Sequence, residues 1–221
     1  MSVLLVSYTT FNGANLSLQD TVAYCARVSN PAHQMNTETN ERLIKYLIDH
    51  YHWSPFEMVN ICLEITTTRD IARQILRHRS FSFQEFSQRY AVVHTGSPEL
   101  RETRTQDIHN RQNSISSDNN DLQYKWNHIQ TTIFNLTNQA YNEALELGIA
   151  KEQARVVLPE GLTPSTLYMN GSLRSWIHYI QLRTGNGTQK EHKYIAKQCA
   201  YVIAPLFPLI MSFIDAESME I

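Results

Sequence analysis

Arginine is the side chain that this sequence places as if to meet a ligand. Arg69, Arg73 and Arg77 recur every four residues, the spacing of one outer helix face, and Arg79 follows at once. Like charges at that spacing cost roughly a few tenths of a kcal/mol each. A merely solvated face mixes signs, whereas here only Asp70 intervenes. The chain then runs Arg77-His78-Arg79-Ser80-Phe81-Ser82-Phe83-Gln84-Glu85-Phe86-Ser87-Gln88-Arg89-Tyr90, interleaving cations, hydroxyls and aromatics around a single Glu. Guanidinium forks suit phosphate and ring-edge oxygens, and hydroxyls with backbone N–H groups can complete an anion cradle. Two readings fit this segment: a charged, solvated helix end, and a nucleotide or flavin-phosphate site.

A second cationic group lies downstream. Arg155 sits inside an apolar helical stretch, followed by Ser172, Arg174, His178 and Arg183. Arg174 and His178 are four apart and share a helix face, away from the side of Trp176, Ile177 and Ile180. Arg183 lies two and a half turns beyond Arg174 and is expected on roughly the same side. Each has a plainer reading: a cation favoured at a helix C-terminus for Arg183, a snorkelling side chain for Arg155. Taken together, three separate segments would offer guanidinium forks to an anionic ligand.

Other chemistries find no support. A catalytic thiol needs a cationic neighbour or a helix N-terminus. Cys62 instead falls inside an alternating strand pattern, and Cys25 and Cys199 fall inside apolar helical stretches. The histidines show no HxxxH or HExxH spacing and the cysteines no CxxC, so no metal site is expected. Gly185-Asn186-Gly187 follows a helix and lacks the third glycine of a dinucleotide fingerprint.

The elements that must position the arginines can be outlined from periodicity. Val3–Ser7 reads as a buried strand, and Leu18–Val28 as a helix opening near Ser17. Leu43, Ile44, Leu47 and Ile48 give residues 39–50 a helical pattern. Val59, Ile61, Leu63 and Ile65 alternate with Asn60, Cys62, Glu64 and Thr66, the period of a half-buried strand. Arg69–His78 reads as a short amphipathic helix. Trp126–Leu147 reads as the longest helix, with Trp126, Ile129, Ile133, Leu136, Ala140, Ala144 and Leu147 on one stripe and Gly148 as its stop. Core is the preferred reading of that stripe, a subunit seam the other. Lys151–Leu158 is a shorter helix, Thr166–Met169 a strand, and residues 173–183 and 189–204 are further helices. The polar stretch at about 94–121 reads as a loop or insertion. The expected class is α+β: a central, mostly antiparallel sheet with a long helix and several shorter helices packed around it.

Composition narrows the function. With 221 residues, 19 Lys+Arg and 21 Asp+Glu, the formal net charge is −2. One domain over 1–221, with the insertion, suits that length. The balance argues against a general nucleic-acid binder, which carries a basic excess. No apolar run reaches the ~18 residues of a membrane span. Three scattered cysteines and no secretion signal point to free thiols and a cytoplasmic, reducing compartment.

Arg77-His78-Arg79-x-x-Ser82-x-x-Glu85-x-Ser87-x-Arg89-Tyr90 resembles the signature RHRxxSxxExSxRY of the flavin-dependent thymidylate synthases. The flanks are similar too: His52-x-Ser54-Pro55-Phe56-Glu57, Ala72-Arg73-Gln74, Ala154-Arg155-Val156-Val157-Leu158-Pro159, Leu173-Arg174-Ser175-Trp176-x-His178-Tyr179 and Leu182-Arg183. The resemblance runs in order from Ala23-Tyr24-Cys25-Ala26-Arg27-Val28-Ser29 to Gln189-x-Glu191. It departs from the family pattern at Gln84 and Ser172, both usually Asn, with Asn170 close to the second.

The resemblance implies a homotetramer whose sites are shared between subunits. It implies reductive methylation of dUMP to dTMP, with FAD as cofactor and 5,10-methylenetetrahydrofolate and NADPH as co-substrates. Carried over by position, Gln74, Arg77, Glu85, Ser87, Gln88, Arg89, Arg155 and Arg183 would hold dUMP. Ser54, Arg77, His78, Arg79, Glu85, Ser172, Arg174 and His178 would contact FAD. Arg183 would be the catalytic group, polarising the pyrimidine in place of a thiolate. Ser87 has no His or Lys base at a fixed neighbouring spacing and reads as a phosphate donor. The alternative is a non-catalytic nucleotide- or RNA-binding module built on Arg77–Tyr90, whose aromatics suit base stacking.

Overall fold

Four antiparallel strands hold the molecule together, and a computed structural model describes them within residues 1–94 and 96–215. The expected alternating strand is β2 (Asn60–Thr68), with Ile61, Leu63 and Ile65 fully buried and Val59 buried just ahead of it. β2 pairs with β1 (Ser2–Tyr8) on one side and β6 (Pro164–Ser172) on the other, and β6 also pairs with β3 (Ser82–Glu85). The order is β1-β2-β6-β3. β6 is nine residues long, not the four-residue segment expected. β3 lies inside the arginine signature, where no strand was expected, because its Phe83 and Glu85 alternate with exposed Ser82 and Gln84 over too few residues to show a period.

Helices cover one face of this sheet. α3 (Arg69–Ile75), α6 (Leu173–Thr184) and α7 (Lys190–Ile203) bury Ile71, Ile75, Trp176, Ile177, Ile180, Ile195 and Ile203 against the β2 and β6 side chains. α1 (Leu18–Ala26) opens at Ser17 with a reciprocal capping box to Asp20, and α2 (Asn40–Asp49) packs on it. Gly171 in β6 is required by packing: a Cβ there would sit 2.4 Å from the Phe81 ring, so the ring can lie on the strand only over a glycine.

α4 (Asn120–Glu146) is longer at its start than expected and ends, as expected, at a left-handed Gly148 (φ 80°). Its apolar stripe is not core. Ile129 and Leu136 are 54% and 61% exposed and Ile133 42%, while the buried residues are Gln130, Phe134 and Tyr141, about a quarter turn away. The physical reason is the insertion. Gln130 brackets the Arg101 backbone, accepting from its N–H (2.8 Å) and donating to its carbonyl (3.0 Å), and the Tyr141 hydroxyl accepts from Val93 N–H. These polar anchors, with Tyr141, Ala144 and Leu145 packed against Val93, Ala154 and Leu158, attach α4 to the rest, while the stripe from Ile129 to Leu136 stays exposed.

The polar stretch is more ordered than a loop. It carries a hairpin of β4 (Arg104–Gln106) and β5 (Ser114–Ser116). The expected Lys151–Leu158 helix is α only in α5 (Lys151–Ala154), then a 3-10 turn over Arg155–Val157. Among the described residues no helix is long and apolar enough to cross a membrane.

Candidate active site

α6 organises the candidate residues, and it separates them. Arg183 is nine residues beyond Arg174, which at about 100° per residue is the opposite side of the helix and about 14 Å along it. The expectation of a shared side is therefore corrected: two and a half turns reverse the face. Arg174 and Arg183 belong to different clusters.

At the start of α6, Ser172 is the N-cap and its Oγ accepts from Ser175 N–H. The same hydroxyl donates to Glu57 Oε2, and Arg174 Nη1 donates to Glu57 Oε1 at 2.9 Å. The Ser172 hydroxyl is thus engaged within the fold, whereas Asn170 is exposed on β6. His178 lies edge-on to Trp53 at 4.9 Å, and burial with the nearby Arg174 charge lowers its pKa against the opposing pull of Glu57. Ser54 is exposed at the head of the 3-10 turn that carries Glu57.

At the end of α6 the second cluster forms. Arg183 Nε donates to His78 Nε2 at 2.8 Å. His78 therefore accepts, and burial plus the Arg183 charge bring its pKa down to about 4. His192 is wholly buried between Gln74 and Tyr179: its Nδ1 lies 3.2 Å from Gln74 Oε1 and its Nε2 3.1 Å from the Tyr179 hydroxyl. Burial first, then the charge of Arg183, lowers its pKa to about 3. Burial pushes the Tyr179 phenol well up. Two neutral imidazoles and a protonated phenol surround one guanidinium. Arg77 and Arg79 flank His78, both exposed and neither ion-paired among the described residues.

The remaining dUMP candidates fall into two further groups, one at Glu85 and one at Glu152. Glu85 Oε1 accepts from Ser165 Oγ at 2.7 Å and lies 3.7 Å from Arg69 Nη1. Arg69 is therefore inward-facing and Arg73 is paired to Glu160, so the three arginines do not form one free face; Arg77 lies beyond the end of α3. Arg89 Nε pairs with Glu152 Oε2 at 3.1 Å, and Arg155 Nε donates to the Glu152 carbonyl at 3.3 Å. Two arginines distant in sequence thus converge at Glu152. Ser87 is exposed, and Gln88 is buried with its Nε2 unpartnered in the chain.

Sequence reasoning gave no role to Glu57, Tyr179, Gln189, Glu191 or His192, nor to Arg101 and Arg104 of the insertion. Arg101 Nη2 pairs with Asp70 (2.9 Å), and Arg104 Nη2 with Glu191. A histidine one residue after Glu191 at a helix start was the available signal for this network. No thiol is activated: burial raises the pKa of Cys25, Cys62 and Cys199, and Cys199, near Tyr179, is fully buried.

The fold is similar to that of a pyrimidine-nucleotide methylase. The structure superposes on the UMP/dUMP methylase PolB from Streptomyces cacaoi, solved with 5-Br dUMP, with a TM-score of 0.81 and 27% identity over 96% of this chain and 93% of that one. The family described as thymidylate synthase complementing protein matches residues 5–209. The chain belongs to this family, the flavin-dependent thymidylate synthases. It is 48% identical to the probable flavin-dependent thymidylate synthase of Paramecium bursaria Chlorella virus 1, over 97% of this chain and 99% of the relative. It is 45% identical to the flavin-dependent thymidylate synthase of Synechocystis sp., over 97% of this chain and all of the relative.

Proposed function

We propose that residues 1–221 act as one catalytic domain that methylates dUMP to dTMP, taking the carbon from 5,10-methylenetetrahydrofolate and reducing power from NADPH, with FAD as cofactor, in the cytoplasm. The observation that carries this reading is the Arg183–His78 pair. His78 takes the Nε of Arg183 and leaves Nη1 and Nη2 without a partner among the described residues, a fixed fork for an anionic edge. Pyrimidine C5 must become nucleophilic before it accepts a carbon. With every thiol pushed up by burial, charge stabilisation at O2 and N3 by that fork replaces thiolate addition. Arg89 and Arg155, joined at Glu152, suit the phosphate together with Ser87 and the unpartnered Gln88 amide. Gln74 and Glu85 would complete the nucleotide contacts.

The residues also fit a flavin dinucleotide. Arg77 and Arg79, two exposed guanidiniums without carboxylates, have the donor chemistry of a pyrophosphate site. His78, Glu85, Ser54, Ser172, Arg174 and His178 are the other candidates for its contacts. Bound flavin would supply the hydride that completes the methyl group. The protein's part is orientation, exclusion of water and charge.

Most flavin candidates lie at the two ends of α6, and the dUMP candidates lie in three groups. A homotetramer with sites assembled from several subunits accounts for this dispersal. The exposed stripe of α4 supports it: Trp126, Ile129, Ile133, Leu136 and Ala140 alternate at three and four residues, the spacing of a helix-pairing seam.

The test is direct. Purified protein should be yellow, and its flavin band should bleach when NADPH and dUMP are added anaerobically, with dTMP forming once methylenetetrahydrofolate is present. A colourless protein that gains no flavin band with added FAD would refute the proposal.

A further inference from the structure

We infer that Glu191 and Gln189 are positioning residues that fix which way the Gln74 amide faces, so that the charge anchored by the insertion sets the hydrogen-bond pattern offered to the nucleotide. This rests on the proposed contact of Gln74 with dUMP. Glu191 is almost fully buried, with its carboxylate held by Arg104 of β4 and 3.7 Å from Arg101 Nη1. A carboxylate can only accept. Gln189 must therefore turn its Nε2 towards Glu191 Oε2, at 2.9 Å. That leaves Gln189 Oε1 to accept, which it does from Gln74 Nε2 at 2.7 Å.

The polarity then propagates. Gln74 Oε1 must accept, so His192 presents Nδ1–H to it at 3.2 Å. The remaining His192 nitrogen, Nε2, must accept from the Tyr179 hydroxyl at 3.1 Å. Five side chains point one way because a single charge ends the chain. Each amide and the imidazole could serve reversed, with only the Tyr179 hydroxyl proton losing its acceptor, so without the charge the preference for one orientation of Gln74 weakens. The depressed basicity of His192 keeps the ring neutral, which the one-way chain needs. The insertion thereby has a part in the site: Arg104 holds the carboxylate, and Gln130 of α4 holds the backbone of Arg101 beside it.

A double-mutant cycle on dUMP binding to the FAD-loaded protein tests this, by calorimetry, with flavin content and kcat measured alongside. Gln74→Ala should weaken dUMP about tenfold. Glu191→Gln, which removes the charge but keeps the shape, and Gln189→Met, which removes the link, should each weaken dUMP about five- to tenfold. Both should leave flavin content intact and kcat within twofold. Adding either to Gln74→Ala should weaken dUMP no further. Should Glu191→Gln fail to fold, Gln189→Met alone decides, since it leaves the Glu191–Arg104 pair in place. If Gln74→Ala weakens dUMP while the other two leave it unchanged, or if their effects multiply in the doubles, the positioning role is wrong and the contact stands. If Gln74→Ala itself has no effect, the contact is wrong and the positioning role falls with it.

Discussion

Arg183 and His78, 105 residues apart, are joined Nε to Nε2 at 2.8 Å, and this bond links the group proposed to act on the pyrimidine with the centre of the arginine signature. It specifies the imidazole: Nε2 accepts, so the proton resides on Nδ1 and the ring is neutral. A protonated His78 would face the guanidinium charge with no acceptor to offer. His192 is held neutral by its burial first and then by the same arginine.

Acid should therefore loosen the protein well before its carboxylates titrate. Both histidines bind protons more weakly folded, at about 4 and about 3, than the ordinary 6.5. The unfolded chain takes up protons first, so the stability they contribute is complete above about pH 6.5 and lost as pH falls below it. A fully buried group gives a slope of about 1.4 kcal/mol per pH unit; half-buried His78 gives less because water screens it. The melting temperature should fall between pH 6.5 and 5, and His192→Asn should show a shallower fall. An equal slope in that variant would show that His192 does not carry the effect.

How far this was legible beforehand differs by element. Val59, Ile61, Leu63 and Ile65 announce β2 because a sheet covered on one face imposes a period of two. Ser17 and Gly148 announce helix ends through capping chemistry that is local. The arginine signature was visible as unusual spacing, yet its division into clusters was not, because the partners Glu57, Glu152 and Glu191 come from distant segments. Tertiary pairing also overrode the polarity of the insertion: Arg101 and Arg104 look solvated in sequence and are largely buried against Asp70 and Glu191. The α4 stripe misled for the opposite reason. An apolar stripe at helical spacing does not by itself place that face in the core of its own chain.

Disrupting that stripe should dissociate the proposed homotetramer without unfolding the subunit. Ile133→Asp combined with Leu136→Asp places charges on exposed positions that the subunit's own packing does not use. Sedimentation should show a smaller species with unchanged helix content and, where the proposed sites are assembled from several subunits, with dTMP formation reduced at least a hundredfold. A variant that keeps wild-type mass and activity would remove α4 from the interface.

On the proposed thiol-free activation, the cysteines should be dispensable to the reaction. Replacing all three should leave dTMP formation detectable, and the stability cost should come from Cys199, which is fully buried, rather than from half-buried Cys62. Cys199→Ser puts a hydroxyl into an apolar site, at about 1–3 kcal/mol, whereas Cys199→Ala should be milder. Denaturant titration of each single variant ranks them. A folded triple variant with no turnover would count against thiol-free activation.

Arg183 carries the sharpest expectation. Its Nε is committed to His78, and its two terminal amino groups remain for the ligand. If they stabilise charge that develops at O2 and N3, they matter more in the transition state than in the bound substrate. Arg183→Ala should then lower dTMP formation by about 10²–10³, the size typical of losing one oxyanion-type donor. Arg183→Lys should recover only part of this, because an ammonium cannot donate to His78 and fork onto the pyrimidine in the same plane. The alanine variant should also release His78: with the charge gone, one of the two causes lowering its pKa disappears, and the imidazole should titrate at higher pH. Reduction of bound flavin by NADPH alone should change little, as the pyrimidine takes no part in it. Steady-state methylation and anaerobic flavin reduction, measured on the same folded and flavin-loaded variants, separate the outcomes. A parallel fall in both rates would make Arg183 a residue of the flavin site and not of the pyrimidine's activation.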